Sequence, residues 1–223
     1  MKVNHIIWNG KSSDELGIRI LDKDIPRPSA GDQYDRVQID GRDGDLLISR
    51  RSIPSIRYNL PINLLDVKRA DEITHWLRSN PKGDLLMSWD DEYIYKAEYL
   101  ESHEIATKLL KLGKAELRFN LHPWKYLASG RDQVTGTSIT NPTKYDSKPT
   151  YIIAGTGSKD VLVNGELIRL KNMSGSVTID TERDIVTGTE MSNVLTYPFP
   201  KLKIGENTFS TSITVIPHWR VRL

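Results

Sequence analysis

Apolar and polar residues alternate with a period of two over much of this chain, and that period predicts strands. Val3 to Trp8 reads as a first strand, closed by Asn9-Gly10, a pair suited to the positive φ of a tight turn. Leu16 to Leu21 reads as a second, with Ile18 and Ile20 on one face. The run Pro26-Arg27-Pro28-Ser29-Ala30-Gly31 is a loop, because its two prolines remove two ladder donors. Tyr34 to Ile39 and Leu46 to Ser49 flank Asp40-Gly41-Arg42-Asp43-Gly44-Asp45, which gives a hairpin with a long tip. Ser55 to Leu65 places Ile56, Tyr58, Leu60, Ile62 and Leu64 at even spacing, while Pro61 within the run favours an edge or a bulge.

One segment changes period. Asp66 can cap a helix over about 66–80, in which Ala70, Ile73, Trp76 and Leu77 form one stripe before Asn80-Pro81-Lys82-Gly83 stops it. Asp84 to Trp89 and Tyr93 to Leu100 return to strand character across Asp90-Asp91-Glu92. Glu104 to Lys111 fits a short helix or an irregular strand equally. Lys114 to Leu121 alternates again, and Pro123 is expected to end that strand or hold it at an edge. His122, Pro123, Trp124 and Tyr126 then read as a domain hinge, the aromatics offering flat apolar bodies with polar handles.

Past the hinge, Gly130 to Pro149 is rich in Ser, Thr, Gly, Asn and Pro, poor in large apolar residues, and expected to be a linker. After it, Thr150–Ile153, Ser158–Val163, Glu166–Leu170, Ser176–Asp180, Asp184–Thr187, Lys201–Ile204 and Asn207–Val215 read as short strands. They are separated by turn signals such as Gly155-Thr156-Gly157, Asn164-Gly165 and Ser174-Gly175. A closing strand over Trp219 to Leu223 follows. That rhythm is a β-sandwich. The expected organisation is therefore mainly β throughout: residues 1–128 a β-barrel or sandwich with one packed helix and a projecting hairpin, 129–149 a linker, and 150–223 a second β-sandwich.

With 223 residues, 38% hydrophobic and 27% charged, the chain has globular proportions. It contains no cysteine, which excludes disulfides, thiolate metal sites and cysteine nucleophiles. No apolar run approaches the roughly 20 residues that span a bilayer, so no membrane partner is expected. A net charge of +2 with interspersed signs does not by itself indicate a nucleic-acid partner.

Motifs that carry chemistry are sparse. Gly10-Lys11-Ser12 lacks the upstream glycine of a phosphate-binding loop, His5 standing there instead. Asp40, Asp43 and Asp45 lack the spacing and distal glutamate of a calcium loop. They read as a solvated tip, or as a subunit contact in which Arg42 meets a neighbour's carboxylate. Asp90, Asp91, Glu92 and Glu101 are expected to be turn residues rather than a glycosidase pair. His5, His75, His103, His122 and His218 share no metal-ligand spacing. Tyr151, Tyr197 and Trp219 are bulky enough to stack on a sugar and are expected in the core instead. No catalytic, metal or cofactor residue is assigned. Arg50, Arg51 and Arg57 lie on the hairpin arm and the following strand and are read as intersubunit residues.

Several stretches, taken in order, resemble the distal tail proteins (Dit) of long-tailed phages. They are Ile39–Leu46, Ile73-Thr74-His75-Trp76-Leu77 before Gly83-Asp84-Leu85, Tyr93–Ala97, Phe119–Tyr126, Asn141-Pro142, Lys148–Gly157, Asn164-Gly165 and Pro200–Asn207. The resemblance implies an N-terminal domain that assembles into a hexameric ring, with rings that can stack, and a C-terminal galectin-like sandwich. It implies a virion protein at the distal end of the tail, made in the host cytoplasm and not an enzyme. Its partners would be the tail tube protein, a tail-associated lysin or tail-fibre hub, and receptor-binding proteins, with DNA only in transit through the lumen. Asp40, Gly41, Arg42, Asp43, Gly44, Arg50 and Arg51 are the expected subunit interface. The alternative from another class is a carbohydrate-binding module that anchors to a cell wall.

Overall fold

The computed structural model describes residues 4–21, 25, 28, 34–49, 53–100 and 105–223. The chain divides into two compact units, Met1–Lys125 with Arg222–Leu223, and Tyr126–Val221.

The first unit is built on a mostly antiparallel sheet whose strands are β1 (Ile6–Trp8), β2 (Lys11–Ser12), β3 (Ile18–Arg19), β6 (Ile56–Leu64), β7 (Lys82–Met87), β8 (Tyr93–Tyr99) and β9 (Lys114–Leu127). Their order is β2-β1-β7-β8-β9-β6-β3, and the last strand, β15 (Arg220–Arg222), pairs with β9. Two further strands, β4 (Tyr34–Val37) and β5 (Leu46–Ser49), make a separate two-stranded sheet.

Helix α1 (Ala70–Ser79) follows a 3₁₀ turn, Val67–Arg69, where the Asp66 side chain accepts from the Lys68 N–H at 3.0 Å. The stripe read from the sequence is the buried face: Ala70, Ile73 and Leu77 are fully covered and Trp76 almost so. Burying one such aliphatic side chain contributes about 1.5–3 kcal/mol. Trp76 Nε1 donates to the Trp8 carbonyl at 3.2 Å, fixing the helix rotation over the sheet, and Trp8 packs on Phe119 with centroids 5.2 Å apart. A second helix, α2 (Ile105–Leu112), resolves the segment that fitted either reading: Leu109 is fully buried while Leu110 and Leu112 are exposed, a one-sided pattern of helical period.

Of the two outcomes expected at Pro123, a strand end or an edge position, the structure excludes the first. β9 does not end before Pro123 but runs on to Leu127. β6 begins at Ile56, opposite Leu121, so beyond that point it makes no demand on β9. The Pro123 carbonyl accepts from the Leu223 N–H at 3.1 Å, and N and C=O of one residue point to the same neighbour in an antiparallel ladder. The missing donor therefore faces short β15 rather than the β8 side. Pro61 is tolerated for a related reason, since β3 meets β6 only at Asn63 and Leu64.

The second unit is a five-stranded sheet in the order β10-β14-β11-β12-β13, formed by β10 (Val134–Asn141), β11 (Thr150–Val163), β12 (Glu166–Asp180), β13 (Ile185–Thr187) and β14 (Gly205–Ile216). The stretch expected to be a linker thus contributes a strand, β10, which satisfies its backbone against β14 from Val134↔Val215 to Asn141↔Gly205. Backbone pairing supplied what large apolar side chains did not. The four short strands expected between 150 and 180 are two long ones, because Gly155 lies opposite Gly175 inside the ladder rather than in a turn. Gly157, at φ +75°, sits at a register shift, the position where a left-handed residue permits a bulge and a bend. β11 pairs with β14 at both its ends and not between, so the middle of the β11–β12 hairpin leaves the sheet.

Tyr151, Ile153, Val161, Ile168, Leu170, Val177, Ile179, Leu202 and Val215 are the fully buried centre of this unit. Asn207, also fully buried, adds side-chain bonds to the backbone pairing where β14 begins. Its Oδ1 accepts from the Lys203 N–H and from Asn164 Nδ2 at 2.7 Å each, and its Nδ2 donates to the Lys203 and Gly205 carbonyls at 2.9 Å each.

Candidate interaction surfaces

The β4–β5 hairpin is set by its register, Asp35↔Ile48, Arg36↔Leu47 and Val37↔Leu46. Cross-strand partners share a face, so Val37, Leu46 and Ile48 lie on one side with Asp35, and Leu47 lies on the other with Arg36. Val37, Leu47 and Ile48 are 41%, 56% and 47% exposed, and none of these side chains joins the first unit's core. At the tip, the Arg42 N–H donates to the Ile39 carbonyl at 3.2 Å, and Gly41 and Gly44 take φ of +80° and +82°. Asp40, Arg42, Asp43 and Asp45 all point into solvent. Among the described residues no group of three or more carboxylates or histidines is placed to hold a metal ion. Arg50 and Arg51 lie outside the described residues, as do Val3, much of the 26–31 loop, Glu101 and His103. Arg57 is exposed on β6.

His122, Pro123, Trp124 and Tyr126 are consecutive positions of β9, and the boundary between the units falls after Lys125. Extended backbone, not a loop, carries the chain through them. On the first unit's side, Lys125 Nζ donates to Asp90 Oδ2 at 2.8 Å and stands 3.5 Å from the Tyr93 ring centroid. Tyr95 donates its hydroxyl to the same carboxylate. Burial first, then this hydrogen bond, pushes the Tyr95 phenol well above its ordinary range; burial and the Asp90 charge do the same to Tyr58. On the second unit's side, Tyr126 donates to Glu182 at 3.1 Å, and its phenol is raised by burial and by that carboxylate. Asp90 is thus occupied in holding Lys125. Lys125 was not singled out in the sequence, and nothing there placed Asp90, 35 residues away, beside it.

The remaining candidates separate as follows. His5 lies 3.3 Å from Asp14, His75 is exposed on α1, and His218 Nε2 is 3.0 Å from Thr150 Oγ1. Tyr151 and Trp219 are buried, as expected. Tyr197 is not: it is 69% exposed and stands edge-on to Phe199, because it falls in an irregular segment rather than on a strand face. The sequence reading also passed over three exposed aliphatics whose segments meet at Gly113: Leu65, Val67 and Leu112. Their signal was present in Leu112, an aliphatic residue closing a helix just before a glycine.

These features define a mainly β chain of two compact units, the first with a helix-backed sheet and an independent hairpin. No protein-family model and no curated protein matches the sequence. Among solved structures, the chain is similar to the crystal structure of the Dit protein of phage SPP1, described as a paradigm of the hub adsorption apparatus in phages that infect Gram-positive bacteria. The TM-score is 0.66 at 14% identity, covering 96% of this chain and 97% of that one. The likeness is one of fold: this chain has the fold of a siphophage distal tail protein. Among the described residues, no helix is long and apolar enough to cross a membrane.

Proposed function

We propose that this chain is a structural protein of a long-tailed phage baseplate, a distal tail protein whose work is symmetric self-association. The observation that carries the reading is the fold likeness to SPP1 Dit over nearly the full length of both chains. The exposed hairpin supports it, since a ring must close through a heterologous contact in which one patch meets a different patch on the next copy. In this reading six copies form the ring through the hairpin, with Asp40, Gly41, Arg42, Asp43, Gly44, Arg50 and Arg51 at or beside the contact. The ring joins the tail tube to the tail-tip hub and its adhesion proteins at the distal end of the virion, and the galectin-like second unit faces outward. His122, Pro123, Trp124 and Tyr126 carry the chain between the units, and the protein has no catalytic role.

Native mass spectrometry of the purified full chain tests this: a six-copy species is expected, and a monomer at every concentration tried would overturn it. One observation favours the runner-up, a cell-wall carbohydrate-binding module, namely the exposed Tyr197. Stacking on a sugar needs such a face. Glycan-array binding by a monomeric chain, lost in Tyr197→Ala, would select it.

A further inference from the structure

The proposed self-association needs two patches, and the hairpin supplies only one. We infer that its mate is the edge of the next copy formed by Leu65, Val67 and Leu112; the inference rests on the proposed self-association and names the receiving surface. Leu65 and Val67 lie two residues apart in one segment, and Gly113 brings Leu112 close to that segment. The Leu64 N–H donates to the Gly113 carbonyl at 2.7 Å, the Leu65 N–H donates to the Gly17 carbonyl at 3.0 Å, and the Val67 methyl flanks Gly113. Leu112 closes α2 immediately before Gly113, whose φ of +59° ends the helix and starts β9.

These side chains are 63%, 40% and 69% exposed. Single exposed aliphatics need no explanation, but adjacent ones on a folded unit mark a surface that something covers. The hairpin face that carries Val37, Leu46 and Ile48 offers the same number of aliphatic side chains on a flat ribbon.

Charge selects a second copy as the occupant. Lys68, Lys111 and Lys114 are sequence neighbours of these aliphatics and all exposed, and they outnumber the adjacent carboxylate, Asp66, which accepts from the Lys68 N–H. The hairpin tip carries Asp40, Asp43 and Asp45 against the single Arg42. Apolar face on apolar edge, with acidic tip beside basic rim, gives a contact complementary in both respects. Hairpin and edge are made of different residues of one chain, so a contact between them across copies is head to tail and can propagate around a ring.

The test uses full-length chains with one patch disabled in each. Ile48→Asp removes the hairpin face, and Leu112→Asp removes the receiving edge. Both positions are exposed, and circular dichroism checks that each variant is folded. Each variant alone is expected to lose the ring, whereas an equimolar mixture forms a heterodimer and stops there, because one intact hairpin and one intact edge remain. A second pair, Lys111→Glu/Lys114→Glu with Asp43→Lys/Asp45→Lys, tests the charge: either double variant alone is expected to weaken association at least tenfold, and combining all four in one chain to restore the ring. A Leu112→Asp chain that still forms rings, or a mixture that yields no heterodimer, would overturn the receiving edge while leaving self-association standing. A monomeric wild type would remove the underlying reading itself.

Discussion

Replacing Lys125 with methionine tests whether the end of the first unit is fastened by its ammonium group. The side chain is 17% exposed and its Asp90 partner 28%, so water screens the pair only in part. A hydrogen bond to a charged group contributes about 1.5–3 kcal/mol, and a partly desolvated cation over an aromatic ring roughly 0.5–2 kcal/mol. Methionine keeps most of the apolar stem in place, and Asp90 retains the Tyr95 hydroxyl and some access to water. The expected net loss is about 2–4 kcal/mol. Urea unfolding followed by tryptophan fluorescence reports it, since Trp8, Trp76, Trp89 and Trp124 belong to the first unit and only Trp219 to the second. Lys125→Met combined with Asp90→Asn should be less damaging than the sum of the single changes by about 1 kcal/mol or more, the mark of direct coupling. A loss under about 0.5 kcal/mol, or strict additivity, would show that Lys125 merely lies near Asp90.

Two further outcomes concern other places in the fold. Asn207→Ala removes the four hydrogen bonds of a fully buried side chain, so the second unit should lose about 2–4 kcal/mol while hydrogen exchange in the first stays unchanged. Tyr58, Tyr95, Tyr126 and Tyr151 bind their protons more tightly folded than unfolded, so the stability they lend is complete below pH of about 10 and falls as pH rises beyond it. Tyrosinate absorbance should therefore lack these four until the chain unfolds, and their ionisation in a still-folded protein would contradict the burial.

How far the fold was readable follows from how local its causes are. The helix over 70–79 was legible because cap, stripe and stop lie within one segment, with Asp66, Ile73, Trp76 and Leu77 each placed by neighbours a few residues away. β10 was not, since its support comes from β14 about seventy residues on, and a polar composition conceals that pairing. Gly155 and Gly175 read as turns because a glycine's local freedom is the same in a bend and in a ladder; only the partner across decides. The hairpin was legible from its tip. The Leu65–Val67–Leu112 edge was not, because the segment at 65–67 and the end of α2 must fold together before these residues come close.

The final two residues rejoin the first unit after the entire second unit has been made, so that unit is an inserted cassette rather than an appendage. Its two attachment strands run side by side: the Leu223 N–H meets the Pro123 carbonyl on one side of the junction, and the Leu127 N–H meets the Trp219 carbonyl on the other. Any replacement whose ends lie a strand's width apart could be spliced between them without disturbing the sheet that receives it. The second unit is thus free to be exchanged while the fold of the first is kept.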